Sequence, residues 1–153
     1  LEQKQRKYRE TGANNIFLNE AYRRFYKDLS ASPKEKRIVH ISALYVGDVI
    51  AATHWGMTWR GKYYYLLPGY ASGKWQQFSP GRILLKYLVD WSENNGDHIF
   101  DFTVGSEVYK SQWANRKEHV YEYIKPFSWR GNLFVFLRQL FRTISNRKDL
   151  VES

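Results

Sequence analysis

The sequence has no cysteine, and this absence removes several kinds of chemistry. A chain without thiols forms no disulfide bonds, offers zinc no thiolate ligand and has no cysteine nucleophile. Its four histidines form no HExxH pattern or other paired ligand spacing, so we predict no metal site. No apolar run approaches the roughly 20 residues that span a bilayer, and the first ten residues, LEQKQRKYRE, lack the apolar core of a signal peptide. Together these absences lead us to expect a cytoplasmic protein.

Aromatic side chains and positive charge are what the chain has in excess. Aromatic residues make up 18% of its 153 residues and hydrophobic residues 43%, with a net charge of +9. Such a composition is too apolar for a disordered chain and predicts one domain. The basic excess lies at the ends: residues 1–37 hold ten Lys or Arg and five Asp or Glu, residues 38–115 six of each, and residues 116–153 eight and four. A groove that binds nucleic acid would be expected to place positive charge in the central residues, which are neutral overall, so nucleic-acid binding is not favoured. The basic residues at the two ends either form solvated faces or contact a membrane surface.

Hydrophobic periodicity and turn residues predict a mixed α/β (α+β) domain. Three strands joined by tight turns at 47–48 and 60–61 predict an antiparallel meander over residues 38–70. The remaining predicted elements are helices over 16–29, 80–95, 106–117 and 130–146, and strands over 98–105 and 119–125. Because the helix over 80–95 connects two strands, the simplest architecture is a mixed sheet with helices on its faces.

The beginning of the helix over 80–95 is the first candidate site. Ser79 is a suitable N-cap and Pro80 suits the first helical position. Gly81 and Arg82 then stand beside uncapped N–H groups, which predicts a seat for an anion, with Lys74 adding charge. No GxGxxG or GxxxxGK[ST] motif accompanies it. Gly96 stands just past the end of this helix. Its predicted apolar face consists of Ile83, Leu84, Tyr87, Leu88 and Trp91.

Four further residues are candidates for chemistry. Asp101 stands between phenylalanines in a strand, where a carboxylate faces solvent or acts as a base. Glu107 and Tyr109 begin the next helix; they either cap it or face a cleft. A tyrosine can protonate a leaving thiolate, because with a pKa near 10 it still carries its proton at neutral pH. His54 is the histidine best placed for a site, although a lone histidine in a strand is more often structural.

The segment from Tyr63 to Trp113 carries a family resemblance. Its motifs are S-P-G-R-I-L-L at 79–85, D-F-T-V-G at 101–105 and Y-K at 109–110. This pattern resembles the GNAT-like acyltransferases of the CelD/BcsL type, also called the BioF2-like acetyltransferase domain, which are distant relatives of the FemAB peptidyl transferases. The resemblance implies the acyl-CoA N-acyltransferase fold, with a central, mostly antiparallel sheet flanked by helices.

The resemblance also implies an activity and its residues. The expected reaction moves an acyl group from acetyl-CoA or another acyl-CoA to an amine on a small molecule or a glycan. Tyr109 would be the general acid, and Glu107 or Asp101 the base. The expected coenzyme-binding residues are Phe78, Ser79, Pro80, Gly81, Arg82 and Lys74. The expected substrate-binding residues are His54, Trp55 and Tyr65.

The chain also departs from the family pattern. The family's D-F-G reads Asp101-Phe102-Thr103 here, and the usual glycine-rich GNAT signature is absent. Family members normally carry a second, N-terminal GNAT-like half, so we expect residues 1–153 to be one GNAT-like domain from the C-terminal half of a longer protein. Residues 1–15 then resemble a basic linker, and the partner would be the missing half or a second copy. Two other functions stay open: a noncatalytic interaction module of polysaccharide or cell-envelope biosynthesis, and a FemAB-like aminoacyl transferase.

Overall fold

The computed structural model describes residues 2–12, 15–31 and 38–149, in two compact units; the first ends with Asn115 and the second begins with Arg116. The first unit contains α1 (Glu2–Thr11), α2 (Glu20–Ser30), β1 (Val39–Val46), β2 (Val49–Trp59), β3 (Lys62–Tyr70), α3 (Pro80–Asn94), β4 (Ile99–Asp101) and α4 (Val108–Trp113). Short 3-10 helices precede α2 at Ile16–Leu18 and α3 at Gly73–Phe78. The second unit contains α5 (Trp129–Asp149).

The four strands form one mixed sheet in the order β1-β2-β3-β4. The first three pair antiparallel, and β4 pairs parallel to β3 after the α3 crossover. The turns use left-handed backbone where the sequence predicts it: φ is 58° at Gly47, 53° at Arg60 and 71° at Gly61. The predicted meander and the mixed, mostly antiparallel sheet with flanking helices are confirmed.

The pairing of β3 with β2 is irregular in the middle of β3. Trp55 pairs with Leu67 and Gly56 with Tyr65, so Leu66 is an extra residue opposite β2. Such a β-bulge leaves the extra residue outside the regular hydrogen bonding. Strand β4 pairs only with the first three residues of β3, Lys62–Tyr64. In the described part of the chain, the sheet therefore opens between β3 and β4 beyond Tyr64.

The core lies between the sheet and α3. Its buried cluster comprises Ala52, Tyr63, Tyr65, Leu84, Leu85 and Leu88. The predicted apolar face of α3 is correct for Leu84 and Leu88 but wrong for Ile83 and Tyr87, whose side chains are 42% and 62% exposed. Leu85 and Ser92 are buried instead, because the face that meets the sheet is rotated from the predicted stripe.

The opposite face of the sheet carries the two N-terminal helices. Trp55 donates a hydrogen bond from Nε1 to Ser30 Oγ at 2.8 Å and contacts the ring of Tyr26 on α2. Helix α1 packs along β3, so the segment that resembles a linker contains a helix that packs on the sheet.

The second unit contains α5, whose prediction over 130–146 is confirmed, but the strand predicted over 119–125 is wrong: those residues have no regular structure. Their alternating pattern is that of a strand, yet a strand also needs a hydrogen-bonded neighbour. Instead, Arg138 donates to both carboxylate oxygens of Glu122, at 3.0 and 3.1 Å. Across residues 2–12, 15–31 and 38–149, no helix combines the length and apolarity needed to cross a membrane.

Candidate active site

A cleft of about 440 Å³ opens where β3 and β4 diverge. One wall is formed by the second half of β3 and the beginning of α3, and the other by the residues that follow β4 and begin α4. The N-terminus of α3 and the part of β3 that does not pair with β4 thus line the same cleft.

The beginning of α3 is open toward this cleft. Ser79 has left-handed backbone angles (φ 48°, ψ 52°), and its side chain makes no capping hydrogen bond, so the prediction of a Ser79 side-chain cap is wrong. The amides of Arg82 and Ile83 both donate to the Ser79 carbonyl, at 2.9 and 3.3 Å. No acceptor in the described residues takes the amide of Gly81. This end of the helix therefore presents positive partial charge to a ligand.

Six residues were predicted to bind the coenzyme, and the structure brings four of them to the cleft: Ser79, Pro80, Gly81 and Arg82. Phe78 and Lys74 do not line it. Phe78 is 60% exposed, and the Lys74 ammonium lies 5.4 Å from the centroid of the Trp75 ring.

The other wall carries two tyrosines and one carboxylate, Tyr65, Tyr109 and Glu107. Burial, and next the negative charge of Glu107, raise the pKa of Tyr109 to about 12. Burial likewise raises the pKa of Tyr65, with a contribution from Tyr109. The Glu107 carboxylate pairs with Lys110 Nζ at 2.9 Å, and the same ammonium donates to the Val104 carbonyl at 3.0 Å. Two protonated phenols and an oriented carboxylate thus share one cleft.

Residues 1–111 match the family profile described as the acetyltransferase (GNAT) domain. The chain belongs to this family. No curated protein and no solved structure matches it. The family's general chemistry is acyl transfer, and GNAT domains generally use acyl-CoA.

Asp101 lies outside the cleft of this GNAT domain. Its Oδ2 is 2.9 Å from Lys62 Nζ, and its Oδ1 accepts a 2.7 Å hydrogen bond from the Thr103 amide. The carboxylate thus joins β3 to β4 and fixes the turn after β4. Its role as a base stays a prediction, and Glu107 is the candidate that lines the cleft.

His54 and Trp55, predicted to bind the substrate, do not line the cleft either, whereas Tyr65 does. His54 is only 2% exposed, and its Nδ1 lies 3.1 Å from the Tyr63 hydroxyl, which is also 2.9 Å from His40 Nδ1. Burial is the main cause that lowers the pKa of His54 to about 3. His54 is therefore a neutral, internal residue of this GNAT domain, and Trp55 belongs to the opposite face of the sheet.

Thr103 follows β4 with a backbone conformation that few residues other than glycine adopt. Its φ of 59° lies in the left-handed region, which favours glycine and is unusual for a β-branched residue. Thr103 and Ser79 both line the cleft, and they are two of the three non-glycine residues with positive φ among those the structure describes. Strained backbone of this kind tends to gather at functional sites.

Sequence reasoning missed several residues that line the cleft of the GNAT domain, namely Lys4, Leu66, Tyr70 and Lys110. The Y-K motif names Lys110 without giving it a role. Nothing in the pattern of residues 1–15 distinguishes Lys4 from the other basic residues there. In the part of the chain that the structure describes, no group of His, Asp and Glu residues is arranged to hold a metal ion.

Proposed function

We propose that the protein transfers an acyl group from acyl-CoA to an amine acceptor, as a GNAT domain of the CelD/BcsL (BioF2-like) type. The observation that carries the proposal is the single cleft that joins the open N-terminus of α3 to Tyr109 and Glu107. Anion binding and acid–base chemistry are the two capacities that acyl-CoA-dependent transfer needs.

The residues at the beginning of α3 fit the diphosphate of coenzyme A. Helix N-termini bind phosphates through backbone N–H groups, and Arg82 supplies a full positive charge. Gly81 keeps this approach open: among the described residues, a Cβ placed there would meet only Tyr70 Cδ1 within 4 Å, at 3.5 Å, which is an ordinary contact.

The chemistry assigned to the cleft forms an amide bond and breaks a thioester. The amine nitrogen attacks the thioester carbonyl carbon, and the amide of Leu66, released by the bulge, is our candidate donor to the carbonyl oxygen. Glu107 accepts the proton that the attacking nitrogen loses. The C–S bond breaks, and Tyr109, kept protonated by its raised pKa of about 12, donates its proton to the departing thiolate.

Two measurements test this proposal. Calorimetry with coenzyme A and acetyl-CoA reports binding, and the release of free thiol in the presence of amino acids, amino sugars and polyamines reports transfer. Because the chain has no cysteine, a thiol reagent detects only the coenzyme product. Absence of binding to either coenzyme would refute the proposal. Binding without turnover of any amine would support the noncatalytic module, and turnover with aminoacyl donors alone would support a FemAB-like transferase.

A further inference from the structure

We infer that Lys4, on α1, is a phosphate-binding residue of the cleft. The inference rests on the proposed function and adds to it a contact from a helix that the sequence does not connect with ligand binding. The group recognised is a phosphate of the acyl donor, either in the diphosphate or at the 3′ position of the ribose.

Contacts on either side of Lys4 fix the position of its helix. Gln3 donates from Nε2 to the Ile50 carbonyl at 3.1 Å and accepts from Thr53 Oγ1 at 2.9 Å. Gly69 allows this close approach, because a Cβ there would lie 3.0 Å from Gln3 Cβ. Arg6 donates to the Tyr70 carbonyl. Helix α1 is therefore held on the sheet at both sides of Lys4, which lines the cleft.

Tyr70 brings this helix and the beginning of α3 to the same place. Its carbonyl accepts the hydrogen bond from Arg6, and its ring lies against the open side of Gly81. Arg6 of α1 and Gly81 of α3 thus both contact Tyr70, and Lys4 lines the same cleft as the α3 N-terminus. A phosphate group seated at Gly81 and Arg82 would lie within the field of the Lys4 ammonium.

The charges that line the cleft also favour a polyanionic ligand. The lining includes three cations, Lys4, Arg82 and Lys110, and one carboxylate, Glu107. Lys110 is engaged with Glu107 and Val104, and the Lys4 ammonium also lies 5.3 Å from the centroid of the Tyr8 ring on its own helix. Lys4 and Arg82 are the other two cations of the lining. Two cations with backbone amides make a typical phosphate site.

The test compares Lys4→Gln with Lys86→Gln in the full chain, by calorimetry with coenzyme A and 3′-dephospho-coenzyme A. Lys86 is a matched control: it loses the same charge on α3 but is exposed, pairs with Asp90 and lies outside the cleft. We expect Lys4→Gln to weaken coenzyme A binding about tenfold, the effect of removing one charge-assisted bond from a partly exposed site, and Lys86→Gln to leave it unchanged.

The two ligands distinguish the two phosphates. A loss with both ligands assigns Lys4 to the diphosphate, and a loss with coenzyme A alone assigns it to the 3′-phosphate. If Lys4→Gln binds both ligands as tightly as the wild-type chain, the inference is wrong while the proposed function stands. If the wild-type chain binds neither ligand, the proposed function fails first. Lys4→Arg, which keeps the charge, should retain most of the affinity and guards against a general disturbance of α1.

Discussion

The imidazole of His54 lies parallel to the phenol ring of Tyr65, with ring centroids 4.3 Å apart and planes 10° from parallel. Tyr65 lines the cleft, whereas His54 is buried behind it. The Tyr63 hydroxyl holds His54 through Nδ1, so the histidine supports the cleft wall without contacting a ligand.

The burial of His54 predicts a pH-dependent free energy of unfolding. The folded chain keeps this imidazole neutral down to a pKa of about 3, whereas in the unfolded chain it takes up a proton near the ordinary value of 6.5. The stabilisation is therefore complete above pH 6.5 and is lost as the pH falls from 6.5 toward 3, at about 1.4 kcal/mol per pH unit. Denaturant unfolding of the wild-type chain and of His54→Gln between pH 7 and 5 measures the effect.

The His54→Gln variant should lose this part of the slope, because glutamine keeps a polar group beside Tyr63 but does not titrate. The exposed His119, replaced by glutamine, is the matched control and should leave the slope unchanged. Equal slopes for His54→Gln and the wild-type chain would contradict the prediction.

Thr103→Gly should stabilise the protein. Thr103 has a φ of 59°, where its Cβ is strained and glycine is not, and the substitution keeps the amide that donates to Asp101. Relief of this strain is worth about 1–2 kcal/mol, partly offset by the greater freedom of glycine in the unfolded chain, so we expect a net gain of about 1 kcal/mol. Thr103→Ala keeps the Cβ and should show no such gain. A lower melting temperature for Thr103→Gly than for Thr103→Ala would show that the side-chain bond to the Tyr65 carbonyl matters more.

Gly81→Asp should weaken the binding of coenzyme A, because it places a carboxylate beside the open amides and Arg82. Gly81→Ala is its control: its Cβ would make ordinary contact with Tyr70 at 3.5 Å, and alanine favours the helix by about 1 kcal/mol. We expect calorimetry to show at least about a tenfold loss of affinity for Gly81→Asp and wild-type affinity for Gly81→Ala. Equal losses in both variants would mean that the space itself, and not the charge, is what the ligand requires.

Tyr109→Phe should lower kcat while leaving the KM for acetyl-CoA near its wild-type value. The phenol supplies the proton for the leaving thiolate, and we expect a loss of about 100-fold, at the low end for a general acid because a thiolate leaves readily. Since the pKa of Tyr109 is raised to about 12, the wild-type rate should not fall between pH 8 and 10 through loss of this proton. Tyr87→Phe, which changes an exposed tyrosine of α3, should leave kcat unchanged. An unchanged kcat in Tyr109→Phe would remove the residue from the proposed chemistry.

Single residues such as glycine and proline were sufficient to predict the turns and the helix ends. Gly47, Gly61 and Gly96 adopt positive φ where turns and a helix end were expected, because few other residues tolerate that backbone. The beginning of α3 was predicted from Pro80, although its capping was not, since the left-handed Ser79 belongs to the junction between the 3-10 helix and α3.

Long-range contacts were not predictable in this way. Gln3 and Arg6 find partners 47 to 64 residues away, and no short motif records those contacts. The alternation over 119–125 resembled a strand because side-chain pattern alone cannot supply a neighbouring strand. The cleft itself depends on the bulge at Leu66 and on the early end of β4, which are properties of pairing rather than of residue type.

The contact of α1 with Tyr70 has a consequence for how the domain is put together. The buried cluster beneath α3 draws no member from α1, so the hydrophobic centre could assemble before α1 docks. Lys4 would then reach the cleft in a separate step, and a ligand held there would slow amide hydrogen exchange in α1 even though that helix lies far along the chain from the α3 N-terminus.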